Sequence, residues 1–195
     1  MYISYGGITM SIKVDMSLDC KGLACPMPIV KTKKAIEGLA SGQVIEIKAT
    51  DKGSTVDIQS WANKVGHQYI GTKQEGDVLM HYIRKAHEHE VNEVAKYPHT
   101  ITNTELEEIL LSDEECIVLD VREAAEFVFG HIPSAISVPL GELDSAVLDQ
   151  TKQIYVVCRT GNRSDVACHM LKEKGYENVK NVIPGMLEWQ GNIKN

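Results

Sequence analysis

The sequence predicts an α/β protein in two parts: an N-terminal two-layer βαβαββ sandwich, then a C-terminal α/β domain with a parallel sheet. Three observations carry this reading. The charge changes sign partway along the chain. Before residue 86, alternating runs and amphipathic segments follow one another in the order βαβαββ. After residue 99, apolar runs of strand length alternate with helical segments, the pattern of a parallel sheet. The 195 residues are 43% hydrophobic, 24% charged and 6% aromatic. Those values are ordinary for a globular chain and exclude a disordered chain, a collagen-like repeat and a disulfide-stapled small scaffold.

The net charge of −7 is an average over unlike parts. Residues 1–85 hold 11 Lys/Arg against 8 Asp/Glu, whereas residues 100–195 hold 8 against 16. Residues 86–99 between them are polar, lack an apolar period and contain Pro98. They read as a linker, with a short solvated helix as the alternative. The expected division is therefore a first domain at 10–85, a charged linker at 86–99 and a second domain at 100–195. Opposite surface charges would help the two domains meet.

The mild acidity argues against a general nucleic-acid partner. No apolar run approaches the ~20 residues of a membrane span, so no membrane partner is expected. The N-terminus lacks the basic start and apolar stretch of a secretory signal. Met10 is a candidate start, with residues 1–9 an upstream extension. Five cysteines without a signal fit a reducing compartment, and the cytoplasm is the expected location.

In the first part, residues 12–18 alternate as a strand. A helix opens near Pro26, because proline is tolerated in a first turn. It turns Ile29, Val30, Ile36 and Leu39 toward a core, with Gly42 as its stop. Residues 44–50 alternate again. Residues 55–65 form a second helix, capped by Ser54 or Thr55 and ended by Gly66. Residues 68–73 and 78–84 make a hairpin around Glu75-Gly76-Asp77. In the second part, Thr102-Asn-Thr-Glu105 is a capping box opening a helix to Leu111. Residues 116–121 and 154–158 are strands, 163–174 a helix stopped by Gly175, and 179–183 a further strand. Pro184-Gly185 and a short helix to Trp189 follow. Active groups in such sheets gather at the carboxyl ends of the strands, where Cys158 lies.

The strongest chemical signal is Cys158-Arg-Thr-Gly-Asn-Arg-Ser164. A cysteine leaving a buried strand ahead of a helix sits beneath backbone N–H groups and the positive helix end. Arg159 and Arg163 add cations, and Gly161 permits a tight turn. All three effects favour a thiolate, the reactive nucleophile. The bland alternative, a core cysteine beside an ordinary turn, fits poorly with two arginines and a glycine in so short a loop. Loop length then narrows the chemistry. A tyrosine phosphatase loop has His before its Cys and five residues between Cys and Arg. Here Val157 precedes Cys158 and only four residues separate it from Arg163. The tighter pocket suits a persulfide better than a phosphate.

This loop resembles the active loop of rhodaneses, the sulfurtransferases, with C-R-x-G-x-R-S matched throughout. The likeness extends to Leu119-Asp-Val-Arg-Glu123, Glu126-Phe127, Gly130-His-Ile-Pro133 and Gly185-Met-Leu-Glu-Trp189, and spans about residues 100–191. It implies one rhodanese-like domain in which Cys158 carries sulfane sulfur. Arg159, Thr160, Gly161, Asn162, Arg163 and Ser164 would cradle that sulfur. Asp120 and Arg122 would organise the pocket rather than react.

The second signal is Leu18-Asp-Cys-Lys-Gly-Leu-Ala-Cys-Pro-Met-Pro28. Cys25 stands just before a helix opened by Pro26 and Pro28, where the helix end should lower its pKa. Lys31, Lys33 and Lys34 could reinforce that effect, or simply form a solvated face or a docking patch. A capping cysteine without chemistry is the alternative. The segment resembles the TusA/SirA-like sulfur carriers, whose motif is G-L-x-C-P-x-P. The likeness runs over about residues 17–85, including Thr50-Asp51, Gly66-His67 and Ile83-Arg84-Lys85. It implies that Cys25 accepts a persulfide and passes it on. Cys20 departs from the pattern. It could be a resolving thiol, a second sulfur site or an inert substitution, and the inert or protective reading is preferred.

No metal site is expected, since no second Cys/His pair completes four ligands, and no organic cofactor is called for. Cys116 and Cys168 read as core residues. His87, His89 and His99 read as solvated linker residues, while His67 and His131 should satisfy local hydrogen bonds. The sequence thus points to a sulfurtransferase. Cys158 would take sulfur from thiosulfate, a polysulfide or a low-molecular-weight persulfide, and Cys25 would deliver it to an acceptor, with a protein as one candidate. The linker would raise the effective concentration of one thiol at the other. Two rivals stand beside this: a detoxifying rhodanese with a recruitment module, and a reactive-sulfur or redox sensor using Cys20 and Cys25.

Overall fold

The computed structural model describes residues 12–86, 96–112 and 114–195. The upstream extension with Met10, and most of the linker with His87 and His89, lie outside those residues.

The N-terminal sheet consists of β1 (Met16–Cys20), β2 (Val44–Ala49), β3 (Gln68–Glu75) and β4 (Val78–Arg84) in the order β1-β2-β4-β3. Two helices, α1 (Met27–Glu37) and α2 (Ser54–Lys64), pack on one face. β1 starts later than expected and continues to Cys20. Its parallel register with β2, Met16 opposite Ile45 through Cys20 opposite Ala49, turns Met16, Leu18 and Cys20 inward. A one-residue slip would expose that whole face. Val30 is 54% exposed, outside the expected core stripe, whereas Ile36 and Leu39 are buried. α1 ends at Glu37 rather than running to Gly42, which at φ +87° turns the chain into β2. Neither Ser54 nor Thr55 caps α2. Gly53 holds the cap position, and the Ser54 hydroxyl faces His81 Nε2 at 2.9 Å.

The C-terminal sheet is parallel, in the order β5-β9-β8-β6-β7, from β5 (Thr100–Thr102), β6 (Cys116–Asp120), β7 (Ile136–Ser137), β8 (Gln153–Val157) and β9 (Val179–Ile183). α3 (Asn103–Leu111) opens on the expected capping box, Thr102 with Glu105. α5 (Asn162–Glu173) follows β8. The sequence reading did not find β5, β7 or α4 (Ala124–Phe129). The two strands are too short for periodicity to register, and the 6 residues of α4 make less than two turns.

α4 is nevertheless the element that joins the two sheets. It lies on the helix-free face of the N-terminal sheet, so β4 is buried on both sides from Met80 to Arg84. A register shift between Tyr69 and Gly71 places Gly71 opposite Tyr82. The Phe129 ring rests there, edge-on to Tyr82 with centroids 5.4 Å apart. Cations of the first domain meet carboxylates of the second: Lys13 with Glu142 at 2.7 Å, and Arg84 with Glu123 at 4.0 Å. Lys13 and Glu142 are mostly exposed, so solvent screens that pair and it adds little. Packing decides the contact. A Cβ on Gly71 would lie 2.5 Å from a Phe129 ring carbon. Gly71→Leu should therefore separate the domains, read as a larger radius of gyration by small-angle scattering. An unchanged radius would count against this interface.

Candidate active site

β8 delivers Cys158 at its carboxyl end, and α5 begins four residues later. The turn between them requires Gly161, which caps α5 at φ +90° in the left-handed region. Two donors meet the sulfur: the Gly161 N–H at 3.1 Å and the Ser164 hydroxyl at 3.3 Å. Both, with the positive end of α5, turn positive partial charge toward Sγ. Cys158 is 0% exposed.

The remaining loop residues divide. The side chains of Thr160 and Asn162 are exposed, so they would contribute through their backbone. Arg159 faces a cleft of about 340 Å³. Arg163 was expected to clamp an anion, but its guanidinium turns to Glu126, with Nη1 donating to Oε2 at 2.7 Å and Nη2 to Oε1 at 2.9 Å. Glu126 is 3% exposed. Burial alone would raise its carboxyl, but the Arg163 bonds and charge, with help from Gln68, hold it at about 2. An arginine paired in this way is a brace with its charge already balanced. Arg159 is left as the loop cation that faces this cleft.

Asp120 and Arg122 form a second buried brace. Arg122 Nη2 donates to Asp120 Oδ2 at 2.6 Å and to the Gly130 carbonyl at 2.8 Å. Residues after β9 close the loop from the other side. The Met186 N–H donates to the Cys158 carbonyl at 2.8 Å, and the Leu187 N–H to that of Arg159 at 2.9 Å. Asn103 holds Gly185 by both its backbone groups, and Asn181 Nδ2 donates to the Gly161 carbonyl at 3.1 Å. The sequence reading missed Asn103 and Asn181. For Asn181 the signal was present as a lone amide in the apolar strand Val179–Ile183.

Cys25 is exposed, just before α1. Its environment reverses the expected pKa direction. The Asp57 carboxylate accepts from the thiol and raises its pKa, with burial and the charges of Asp57 and Asp51 adding to the rise. Lys31, Lys33 and Lys34 do not offset these carboxylates. Asp57→Asn should lower the Cys25 pKa, seen as iodoacetamide alkylation moving to lower pH. An unshifted alkylation profile would remove Asp57 from this role.

Cys20 is wholly buried on β1, and burial raises its thiol pKa. Cys25, by contrast, is exposed, and the burial of Cys20 favours its inert reading. Cys168 is buried with a raised pKa, as a core residue should be. His131 Nδ1 lies 2.9 Å from the Phe127 carbonyl, and the His67 ring packs edge-on to Trp61. No helix among the described residues is long and apolar enough to cross a membrane.

A buried cysteine held under two donors on a parallel sheet, and an exposed one ahead of a helix on a second α/β sheet, define a protein with two thiol centres. Family models match both halves: Sulfurtransferase TusA over residues 16–85 and Rhodanese-like domain over residues 102–192. A Bacillus subtilis protein named as a candidate sulfur carrier, YrkF, is 44% identical over 182 residues, covering 92% of this chain and 98% of its own. The sulfur carrier protein TusA of Allochromatium vinosum is 39% identical over 72 residues, covering 37% of this chain and 95% of its own. Among solved structures, a rhodanese-related protein of Thermoplasma volcanium is 32% identical, with a TM-score of 0.45. It covers 49% of this chain and 97% of its own. The chain belongs to the family of sulfur-transfer proteins that fuse a TusA domain to a rhodanese-like domain.

Proposed function

We propose that this protein takes sulfane sulfur onto Cys158 as a persulfide and relays it to Cys25 for delivery to a protein acceptor. The observation that carries the reading is the Cys158 sulfur beneath the Gly161 N–H and the Ser164 hydroxyl at the start of α5. The Cys158 thiolate attacks the outer sulfur of the donor, and the donor's S–S bond breaks. Sulfite leaves from thiosulfate, or a thiolate from a persulfide. Arg159 neutralises the incoming anion, and the two donors stabilise charge on the bound sulfur. Cys25 then attacks the outer sulfur of that persulfide, and Cys158 leaves as a thiolate. The families support sulfur transfer as the activity; the donor and the direction of relay belong to this proposal.

The test is to charge the protein with thiosulfate and follow both cysteine peptides by mass spectrometry with their persulfides intact. Cys158→Ser should abolish sulfur at Cys25. Persulfide appearing at Cys25 at an unchanged rate in that variant would remove the relay. The detoxifying reading keeps one specific support, the separation of Cys25 from the Cys158 loop across the N-terminal sheet. Turnover with cyanide or sulfite that is unaffected by Cys25→Ser would favour it. The sensor reading requires Cys20 to react, and burial of Cys20 opposes that.

A further inference from the structure

Each reactive thiol is bordered by exposed apolar side chains. Beside Cys25 these are Met27 and Val30, 47% and 54% exposed; at the mouth of the Cys158 loop they are Leu187 and Ile193, 58% and 53% exposed. Two exposed apolar rims around two thiols that must exchange sulfur are complementary surfaces. Within one chain they do not meet.

Strand register gives the reason. At one end of the N-terminal sheet, Val44, Arg84 and Gln68 lie side by side; at the other end, Cys20, Ala49, Leu79 and Gln74 do. The C-terminal domain holds the first end. Gln68 Nε2 donates to Glu126 Oε1 at 2.7 Å, and Glu126 holds Arg163 of the Cys158 loop. Cys25 belongs to the second end, where its loop follows Cys20 and is tied by the Gly22 N–H to Thr50 Oγ1 at 2.9 Å. Strand rises of ~3.3 Å and strand spacings of ~4.8 Å put the Gln68 and Cys20 corners about 20 Å apart. The faces differ as well. Phe129 docks on the helix-free face, whereas Cys25 contacts Asp57 in the first turn of α2, in the helical layer.

We propose that, with the domains docked, sulfur passes between two copies of the chain: the Cys158 persulfide of one charges Cys25 of another. This rests on the reading that Cys158 supplies Cys25. The exposed loop bearing Cys25 enters the second copy's cleft between Arg159, Leu187 and Ile70, and the two apolar rims close over the reacting sulfurs. Cys25 gives its proton to solvent, and its thiolate bonds to the outer sulfur. The S–S bond to Cys158 breaks, and the Cys158 thiolate returns to its two donors. Sulfur is exchanged with no oxidant or reductant. Opposite net charges on the two domains, basic at residues 1–85 and acidic at 100–195, favour the encounter.

Single-turnover kinetics on the full chain test this. The protein is charged with thiosulfate labelled at its sulfane sulfur, and label on Cys25 is followed across a wide range of protein concentration. Transfer between copies gives a first-order rate constant that rises in proportion to concentration. A constant independent of concentration would overturn the proposal in favour of transfer within one chain after the domains separate. Mixing a charged Cys25→Ser chain with a Cys158→Ser chain should label Cys25 of the second at the same bimolecular rate, and no labelling there would also overturn it. If Cys158 charges but Cys25 never does in any mixture, the relay itself fails. That result differs from the concentration-independent one.

Discussion

Glu126→Gln should destabilise the protein by about 3–5 kcal/mol at neutral pH, because it leaves the guanidinium of Arg163 without its buried partner. The pair is bidentate and nearly enclosed, with Glu126 3% exposed. An exposed pair such as Lys13–Glu142 is screened by solvent and would cost far less. The loss should reach function too, since Arg163 is part of the loop that positions Cys158.

The pH dependence follows from the direction of the shift. The Glu126 carboxyl lies at about 2 in the folded protein against an ordinary 4.5. Its contribution is complete above about pH 4.5 and declines as the pH falls toward 2. His81 acts in an adjoining window. Burial lowers it from 6.5 to about 4, so its neutral form contributes stability above about pH 6.5 that is lost as the pH falls toward 4. Denaturant unfolding of the wild type should weaken through both windows, and that of Glu126→Gln through the His81 window alone. A variant that keeps the wild-type slope between pH 4.5 and 2 would show that Glu126 is not the group responsible.

Gly185→Ala should reduce sulfurtransferase turnover by at least about tenfold, the rate equivalent of a ~1.4 kcal/mol rise in barrier. Gly185 sits at φ +91° and ψ −162°, a region essentially reserved for glycine, where a side chain adds about 1–3 kcal/mol of strain. Its Cβ would also stand 2.5 Å from the Cys158 carbonyl oxygen and 3.1 Å from that of Arg159. Backbone atoms cannot swing aside as a side-chain tip can, so the loop itself must move away from Ser164 and Gly161. Gly175, also at positive φ but with open space around it, supplies the control. Gly175→Ala should lower thermal stability and leave turnover near wild type. Equal turnover for the two variants would mean that the contact between Gly185 and Cys158 does not set the loop.

Much of the site was legible because its chemistry is local in sequence. The spacing from Cys158 to Ser164 contains the turn glycine, the sulfur donors and the start of α5. The segment around Cys25 likewise contains its own helix start. Local reasoning failed where charges come from elsewhere. For Cys25 the helix end was visible, but Asp57 and Asp51 approach from the α2 region and reverse the direction of the pKa. Arg163 was visible as a cation, but its neutraliser Glu126 lies on α4, a helix too short for periodicity to detect. Asn103 at the start of α3 and Asn181 in the middle of β9 brace the loop, and only the sheet order brings them near it.

Local patterns along the chain specify a two-part α/β protein with a cysteine motif in each part, because strand and helix periodicity and turn glycines act over a few residues. The tertiary structure alone decided how the parts face one another. Phe129 settles on the bare face of the first sheet because Gly71 leaves room for a ring there. That contact sets Cys158 beside one corner of the sheet while Cys25 stands at the other. No pattern along the chain encodes which face of a sheet a second domain will cover. It follows from the shape and charge of side chains distant in sequence.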